Sequence, residues 1–259
     1  WGPELAFYQI NVEGTANVID ACRKHHVRQL IYTSSPSVVF PMGDLRGVDE
    51  SQPYPAEYTA LYPQTKALAE QAVLKANDEQ LATCALRPHL IWGPGDRHIL
   101  PLIIKQVKAG KLPQIGEGDN LVDMCYIDNA VHAHLCAQER VWPGSEAAGK
   151  AYFISDGAPV NLWDWIRKFT SALGLPPIKK KVPLQAALLL SGFSEVFHRL
   201  IPFLGEPKLT RFVVANLAFS HYFKIDAARN LLGYTPLVDE PEGFRRSVEW
   251  FRAHGESAP

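Results

Sequence analysis

The chain reads as an α/β protein built on a doubly wound parallel sheet, with a smaller C-terminal subdomain. Three observations predict this. Short buried-type apolar runs alternate with helix-length stretches through the first hundred residues. The residues most suited to chemistry stand where those runs end, as they do at strand C-termini in open α/β sheets. The 259 residues, 47% hydrophobic and 20% charged, suffice for a substantial core in one large domain or a domain with a subdomain.

Each element has its own signal. A helix is expected from Glu4 to His26, with apolar positions at Phe7, Ile10, Val12, Val18, Ile19 and Cys22. Val27-Arg28-Gln29 leads into a buried strand, Leu30 to Thr33, which ends in Ser34-Ser35. The stretch from Pro36 to Leu61 reads as a long loop rich in Pro and Gly, carrying Asp49-Glu50. Pro63 disfavours helical backbone at Tyr62 and suits a first helical position. A helix from Pro63 to about Ala76 follows, with Tyr62 at its mouth. Next comes a strand, Thr83 to Leu86, running into Pro88-His89-Leu90-Ile91 and broken at Gly93-Pro94-Gly95-Asp96.

Beyond residue 97 the pattern is more mixed. A helix from Leu100 to Ala109 precedes a turn at Gly118-Asp119-Asn120. Asp128 is expected to cap a helix from Asn129 to Glu139, and Asn161 one from Leu162 to Leu173. Ala151 to Ile154 reads as a strand that rejoins the sheet. Pro183 to Leu204 is strongly apolar but interrupted by Glu195, His198 and Arg199. Two last helices, Asp226 to Leu232 and Pro241 to His254, flank Gly233-Tyr234-Thr235-Pro236. Residues 1–97 and 120–160 are assigned to the sheet domain, and 98–119 and 161–259 to the subdomain.

The chemistry is carried by Tyr62-Pro63-Gln64-Thr65-Lys66, with the serine pair upstream. Tyrosine and lysine four apart share a helix face. A phenol can exchange a proton with an alcohol or ketone oxygen if its pKa comes down from about 10. A nearby ammonium and a helix N-terminus both favour the phenolate, and roughly 4 kcal/mol of differential interaction is needed. Tyr-x-x-x-Lys alone is weak, but the flanking strands, with Ser34-Ser35 before it and Arg87-Pro88 after it, point to hydride transfer at a carbonyl carbon.

Other classes fit less well. A net charge of −1 without a long basic run argues against nucleic acid as a partner. Lys179-Lys180-Lys181 reads as a solvated turn. Cys22, Cys84, Cys125 and Cys136 form no Cys-x-x-Cys pair and read as buried thiols of a reducing cytoplasm. His132 and His134 face apart on a helix, so no metal site is expected. No signal peptide or membrane-spanning stretch is visible. No Gly-rich turn of the G-x-G-x-x-G kind follows a strand, so the first half of a Rossmann-like sheet is expected to lie outside this sequence. The residue that would choose between NAD and NADP would lie there as well.

Asn11-Val12-Glu13-Gly14-Thr15-Ala16-Asn17-Val18, Tyr32-Thr33-Ser34-Ser35, Tyr62 to Lys66, Leu86-Arg87-Pro88-His89 and Trp92-Gly93-Pro94-Gly95-Asp96 resemble the extended short-chain dehydrogenase/reductases. Within these, the chain is similar to the 3β-hydroxysteroid dehydrogenase group, including sterol-4α-carboxylate 3-dehydrogenases and bacterial 2-alkyl-3-oxoalkanoate reductases. The resemblance implies an NAD- or NADP-dependent oxidoreductase with a Rossmann-like domain and a substrate-binding subdomain. It implies Tyr62 as acid/base, Lys66 on the nicotinamide ribose, and Ser35, with Ser34 as alternative, on the substrate oxygen. Pro88, His89 and Leu90 would contact the nicotinamide, and Asn11 either supports the site or makes a structural bond. His89 as general base is disfavoured, because Tyr62 already fills that role. Pairing of two copies through Glu4–His26 and Pro63–Ala76 is a further expectation from the resemblance.

The expected substrate is a small apolar molecule that interconverts as secondary alcohol and ketone. Pro183 to Leu204 is either an ordinary core helix, the favoured reading, or a lid or peripheral membrane contact. The alternatives are a nucleotide-sugar epimerase or dehydratase, with Arg211 and the lysine cluster as diphosphate clamps, and a non-catalytic chain on the same fold.

Overall fold

A computed structural model describes residues 2–201, 207 and 209–255. Its elements in chain order are α1 (Glu4–Phe7), α2 (Gly14–Lys24), β1 (Gln29–Thr33), β2 (Leu45–Val48), α3 (Leu61–Lys75), β3 (Ala82–Pro88) and β4 (Ile91–Trp92). Then come α4 (Ile99–Lys108), β5 (Gln114–Ile115), β6 (Leu121–Val122), β7 (Cys125–Tyr126), α5 (Ile127–Arg140), β8 (Lys150–Ile154), β9 (Val160–Asn161) and α6 (Leu162–Ala172). The last are β10 (Lys181–Val182), α7 (Leu184–Leu200), α8 (Arg211–Ala218), β11 (His221–Phe223) and α9 (Glu240–His254). A π-helical turn, Tyr8–Glu13, joins α1 to α2, so the expected Glu4–His26 helix is one helical run with a bulge.

The main sheet is parallel throughout, in the order β1-β3-β8. Alternation along its strands sends side chains to two helical layers. Thr83 and Arg87 of β3 bond to α3, through the Val73 carbonyl and Glu70. Cys84 and Leu86 pack in the core that holds Ala130, Ala133 and Ala137 of α5. Ile19 of α2 and Val73 of α3 pack with Leu30 and Tyr32 of β1. Helices thus cover both faces, the doubly wound arrangement. Ala151 to Ile154 does rejoin the sheet, extended by Lys150.

A second sheet has the order β2-β11-β6-β9. Residues 45–48 therefore leave the long Pro36–Leu61 stretch as a strand and pair with β11. Nothing local signals this, because the partner is far along the chain. A second core gathers Trp92, Trp163, Trp165, Phe169 and Tyr126. Gly93, at φ +147°, closes the turn beside it, and a Cβ there would lie 2.7 Å from Ile127 Cγ2.

Three expected details are corrected. Helix α3 begins at Leu61, with Ala60 extended before it, so Tyr62 is the second helical residue and not its N-cap. Pro63 falls third, where its missing N–H removes nothing, since the first four amides have no intrahelical partner. Asp128 does not cap α5, which begins at Ile127. Asp156, just past β8, does the work: its carboxylate accepts from the Tyr126 amide at 2.8 Å and Asn129 Nδ2 at 2.7 Å. Asn161 does cap α6, accepting from the Asp164 amide at 2.9 Å.

The third correction concerns the apolar segment from Pro183. Through α7, Leu189, Leu190, Phe193, Val196, Phe197 and Leu200 are exposed, not core. Residues 202–204 of that segment lie outside the described ones. The expected inward positions Ile10 and Val18 are also exposed, whereas Ile19 and Cys22 are buried. All four cysteines are buried free thiols. Among the described residues no helix is long and apolar enough to cross a membrane.

Candidate active site

The ends of β1 and β3 and the first turn of α3 meet at one cavity of about 700 Å³. Its wall includes Ser34, Ser35, Tyr62, Lys66, Pro88, His89 and Leu90, so every residue expected at the site is brought together. Phe40, Phe212, Phe223 and Ile99 add an apolar lining. The size and lining suit a small organic ligand.

Ser35 is extended, at φ −155° and ψ 145°, and caps a 3₁₀ turn over Pro36–Val39. Its Oγ accepts from the Ser37 amide at 3.2 Å and the Ser37 hydroxyl at 2.9 Å. Both Ser35 and the Tyr62 phenol line the cavity, and the serine hydroxyl pulls the phenol's pKa down. Of the two serines, only Ser35 acts on the tyrosine's pKa. Ser34 Oγ is buried and, among the described residues, without a partner.

Lys66 lies one turn beyond Tyr62, yet its ammonium does not sit on the phenol. It donates to the Thr33 carbonyl at 2.7 Å and lies 4.2 Å above the Tyr32 ring. Burial brings the lysine down to about 8, against some support from Glu70. The Tyr62 phenol is raised above its ordinary value by burial, opposed by the Ser35 hydroxyl. The expected lowering of that pKa by Lys66 is absent here, because the cation is turned to the end of β1. A raised phenol is protonated at neutral pH and is a proton donor.

Two supports hold this geometry. Asn11 Nδ2 donates to Thr65 Oγ1 at 2.9 Å, and that hydroxyl donates to the Leu61 carbonyl at 2.8 Å. Asn11 therefore makes a structural bond to the first turn of α3. Glu70, one turn past Lys66, is fully buried and forked by Arg87, at 2.6 and 3.0 Å. Sequence reasoning gave Glu70 no role. Its spacing of four from Lys66, with an arginine in the next strand, was the available signal.

His89 is buried in a pair that the sequence did not show. Its Nε2 is 3.0 Å from His221 Nδ1, and His221 Nε2 is 2.9 Å from the Asn216 carbonyl. A carbonyl only accepts, so His221 Nε2 carries its hydrogen and Nδ1 is left to accept from His89. Burial holds both rings below their ordinary pKa, with the neighbouring His221 adding to it for His89. A neutral, buried His89 whose Nε2 is so engaged is a wall residue. Its Nδ1 has no hydrogen-bond partner among the described residues.

The sequence pattern of the 3-beta hydroxysteroid dehydrogenase/isomerase family matches residues 3–184. This chain belongs to that family. It is 44% identical to the 2-alkyl-3-oxoalkanoate reductase of Stenotrophomonas maltophilia, over 95% of this chain and 75% of the relative. It is 40% identical to a sterol-4-alpha-carboxylate 3-dehydrogenase, decarboxylating, of Schizosaccharomyces pombe, over 94% of this chain and 72% of the relative. The crystal structure of gox2253 superposes with a TM-score of 0.76 at 26% identity, covering all of this chain (100%) and 76% of that one. The fold is shared with UDP-glucuronic acid 4-epimerase from Bacillus cereus in complex with NAD, at TM-score 0.68 and 19% identity, over 98% of this chain and 71% of that one.

Family membership makes the chain an NAD(P)-dependent oxidoreductase of the short-chain dehydrogenase/reductase type, on a Rossmann-like sheet. The cavity fits the nicotinamide end of such a cofactor. Lys66 lies at its wall beside Tyr62, Pro88 to Leu90 form one side, and two buried polar atoms, Ser34 Oγ and His89 Nδ1, are unpartnered among the described residues.

Proposed function

We propose that this enzyme interconverts a ketone and a secondary alcohol on an apolar β-keto or β-hydroxy acid, of the 2-alkyl-3-oxoalkanoate kind. The observation that carries the reading is the convergence of Tyr62, Ser35 and Lys66 on the wall of a cavity lined by Phe40, Phe212 and Phe223. In the reductive direction Ser35 holds the substrate oxygen and Tyr62 gives it a proton. Lys66, beside Tyr62 in the cavity wall, holds ribose hydroxyls. A bound nicotinamide cofactor supplies the hydride or takes it back.

Two observations disfavour a nucleotide sugar. Arg211 is committed to Glu195 at 2.8 Å, and neither it nor Lys179 to Lys181 is in the cavity wall. A diphosphate needs several such clamps, and Arg97 is the one arginine in that wall among the described residues. We also propose that 98–119 and 161–259 form the substrate-binding part. Two copies would pair across the face that leaves Leu5, Ile10, Val18 and Leu68 exposed.

The test is oxidation of NADPH and NADH by the full protein with a long-chain 2-alkyl-3-oxo acid, a 3-oxosteroid and a UDP-sugar in parallel. Turnover of the keto acid, lost in Tyr62→Phe, is expected. Turnover of the steroid alone, or of the sugar, would overturn the substrate assignment.

A further inference from the structure

A tight turn follows the serine pair, and a proline sets its entry. Pro36 disfavours helical backbone at the residue before it, and Ser35 is extended, at φ −155° and ψ 145°. The 3₁₀ turn Pro36–Val39 then folds back over Ser35, with the Val38 amide donating to the Ser35 carbonyl at 3.2 Å. Val38 and Val39 are fully buried, and the Tyr58 hydroxyl donates to the Val38 carbonyl at 2.8 Å. The far end of the turn is thus anchored in the core. Its near end stays at the cavity, where Ser35 and Ser37 both stand in the wall.

Ser37 meets Ser35 twice. Its amide donates to Ser35 Oγ at 3.2 Å, and its hydroxyl donates to the same oxygen at 2.9 Å. A serine oxygen has two lone pairs and one hydrogen. Ser37 takes both lone pairs, so the hydrogen of Ser35 is what remains for the cavity. The Ser35 hydroxyl also opposes the rise of the Tyr62 pKa, which is the effect of a donor, since a donor favours the phenolate.

We propose that Ser37 is a positioning residue of the reaction, holding Ser35 as a fixed donor to the substrate oxygen. With the protonated Tyr62 phenol as the second donor, the wall offers two O–H groups to one oxygen. A ketone oxygen has two lone pairs and accepts both, whereas an alcohol must also place a hydrogen of its own. The resting site is therefore set for the ketone, with the Ser35 hydroxyl already ordered when substrate arrives. This role of Ser37 rests on the ketone–alcohol reading of the site, whichever ketone is reduced.

The experiment compares the full protein with Ser37→Ala, Ser37→Thr, Ser35→Ala and Ser35→Ala/Ser37→Ala, on whichever of the 2-alkyl-3-oxo acid and the 3-oxosteroid the parent reduces. Ser37→Ala should lower kcat about tenfold with KM nearly unchanged, the scale of one hydrogen bond. Ser37→Thr keeps the hydroxyl and should recover most of the loss. The double variant should be no slower than Ser35→Ala, because Ser37 then has nothing to hold. A merely structural role would add its own loss instead. A second readout needs no substrate. The Tyr62 titration, followed by carbon NMR of Cζ-labelled tyrosine and identified by its loss in Tyr62→Phe, should move to higher pH in Ser35→Ala and in Ser37→Ala alike. Undiminished kcat in Ser37→Ala, losses that multiply in the double variant, or a titration moved by Ser35→Ala alone would each overturn the proposal. If the parent reduces neither ketone, the ketone–alcohol reading fails, and the titration alone decides whether Ser37 fixes the Ser35 donor.

Discussion

Arg87 grips Glu70 through two hydrogen bonds, 2.6 Å from Nη2 and 3.0 Å from Nε, with both side chains essentially out of water. The Tyr54 hydroxyl adds a third bond to Glu70 at 2.6 Å. The fork ties α3 to β3 one turn beyond Lys66, and so fixes the helix that carries Tyr62 and Lys66. A buried pair is costly to break from one side, because a charge is left without its partner.

Glu70→Ala should therefore destabilise the protein by about 3 to 5 kcal/mol. Glu70→Leu combined with Arg87→Met should recover most of that loss. Thermal or urea unfolding of the three proteins measures it. Equal instability in the single and the double variant would remove the argument.

Tyr62→Phe keeps the ring and removes the proton. Turnover should fall by at least about a hundredfold, with an unchanged melting curve. Near-normal turnover would remove the central assignment.

The two neighbouring serines should behave differently. Ser35 shares the cavity wall with Tyr62 and is placed to hold the substrate oxygen, so Ser35→Ala should cost about a hundredfold or more in kcat. Ser34→Ala removes a buried hydroxyl that has no partner among the described residues, and its effect on kcat should be far smaller. Comparing the two rates under saturating substrate decides between them.

Lys66 sets a pH dependence. Its ammonium loses its proton near pH 8 in the folded, ligand-free enzyme, against an ordinary value of 10.5. The charged form is present below pH 8, so kcat/KM should fall as pH rises through about 8. In the unfolded chain the lysine keeps its proton to higher pH, so this group makes stability rise with pH between about 8 and 10.5. Lys66→Met should lower kcat/KM and abolish that falling limb. An unshifted limb in the variant would assign it to another group.

Local sequence was enough for much of this protein. Apolar runs marked β1, β3 and β8, but only the central β3 is buried along its whole length; β1, expected as a buried strand, is half-buried and ends exposed at Thr33, because it lies at the edge of the β1-β3-β8 sheet. Tyr62, Lys66 and the serine pair were legible because their chemistry depends on residue type and on spacing along one helix and one strand end. The Asn161 cap was legible for the same reason. What required the tertiary structure were relations between distant segments. The His89–His221 pair spans 132 positions, the β2–β11 pairing joins residues 45–48 to 221–223, and the carboxylate that caps α5 comes from Asp156 rather than the adjacent Asp128. The outward stripe of α7 has the periodicity of a core helix, and only the packing of its other face reveals which side meets solvent. The protonation of the site belongs here too, because burial and the turn of Lys66 toward Thr33 set it, and neither is a property of Tyr-x-x-x-Lys itself.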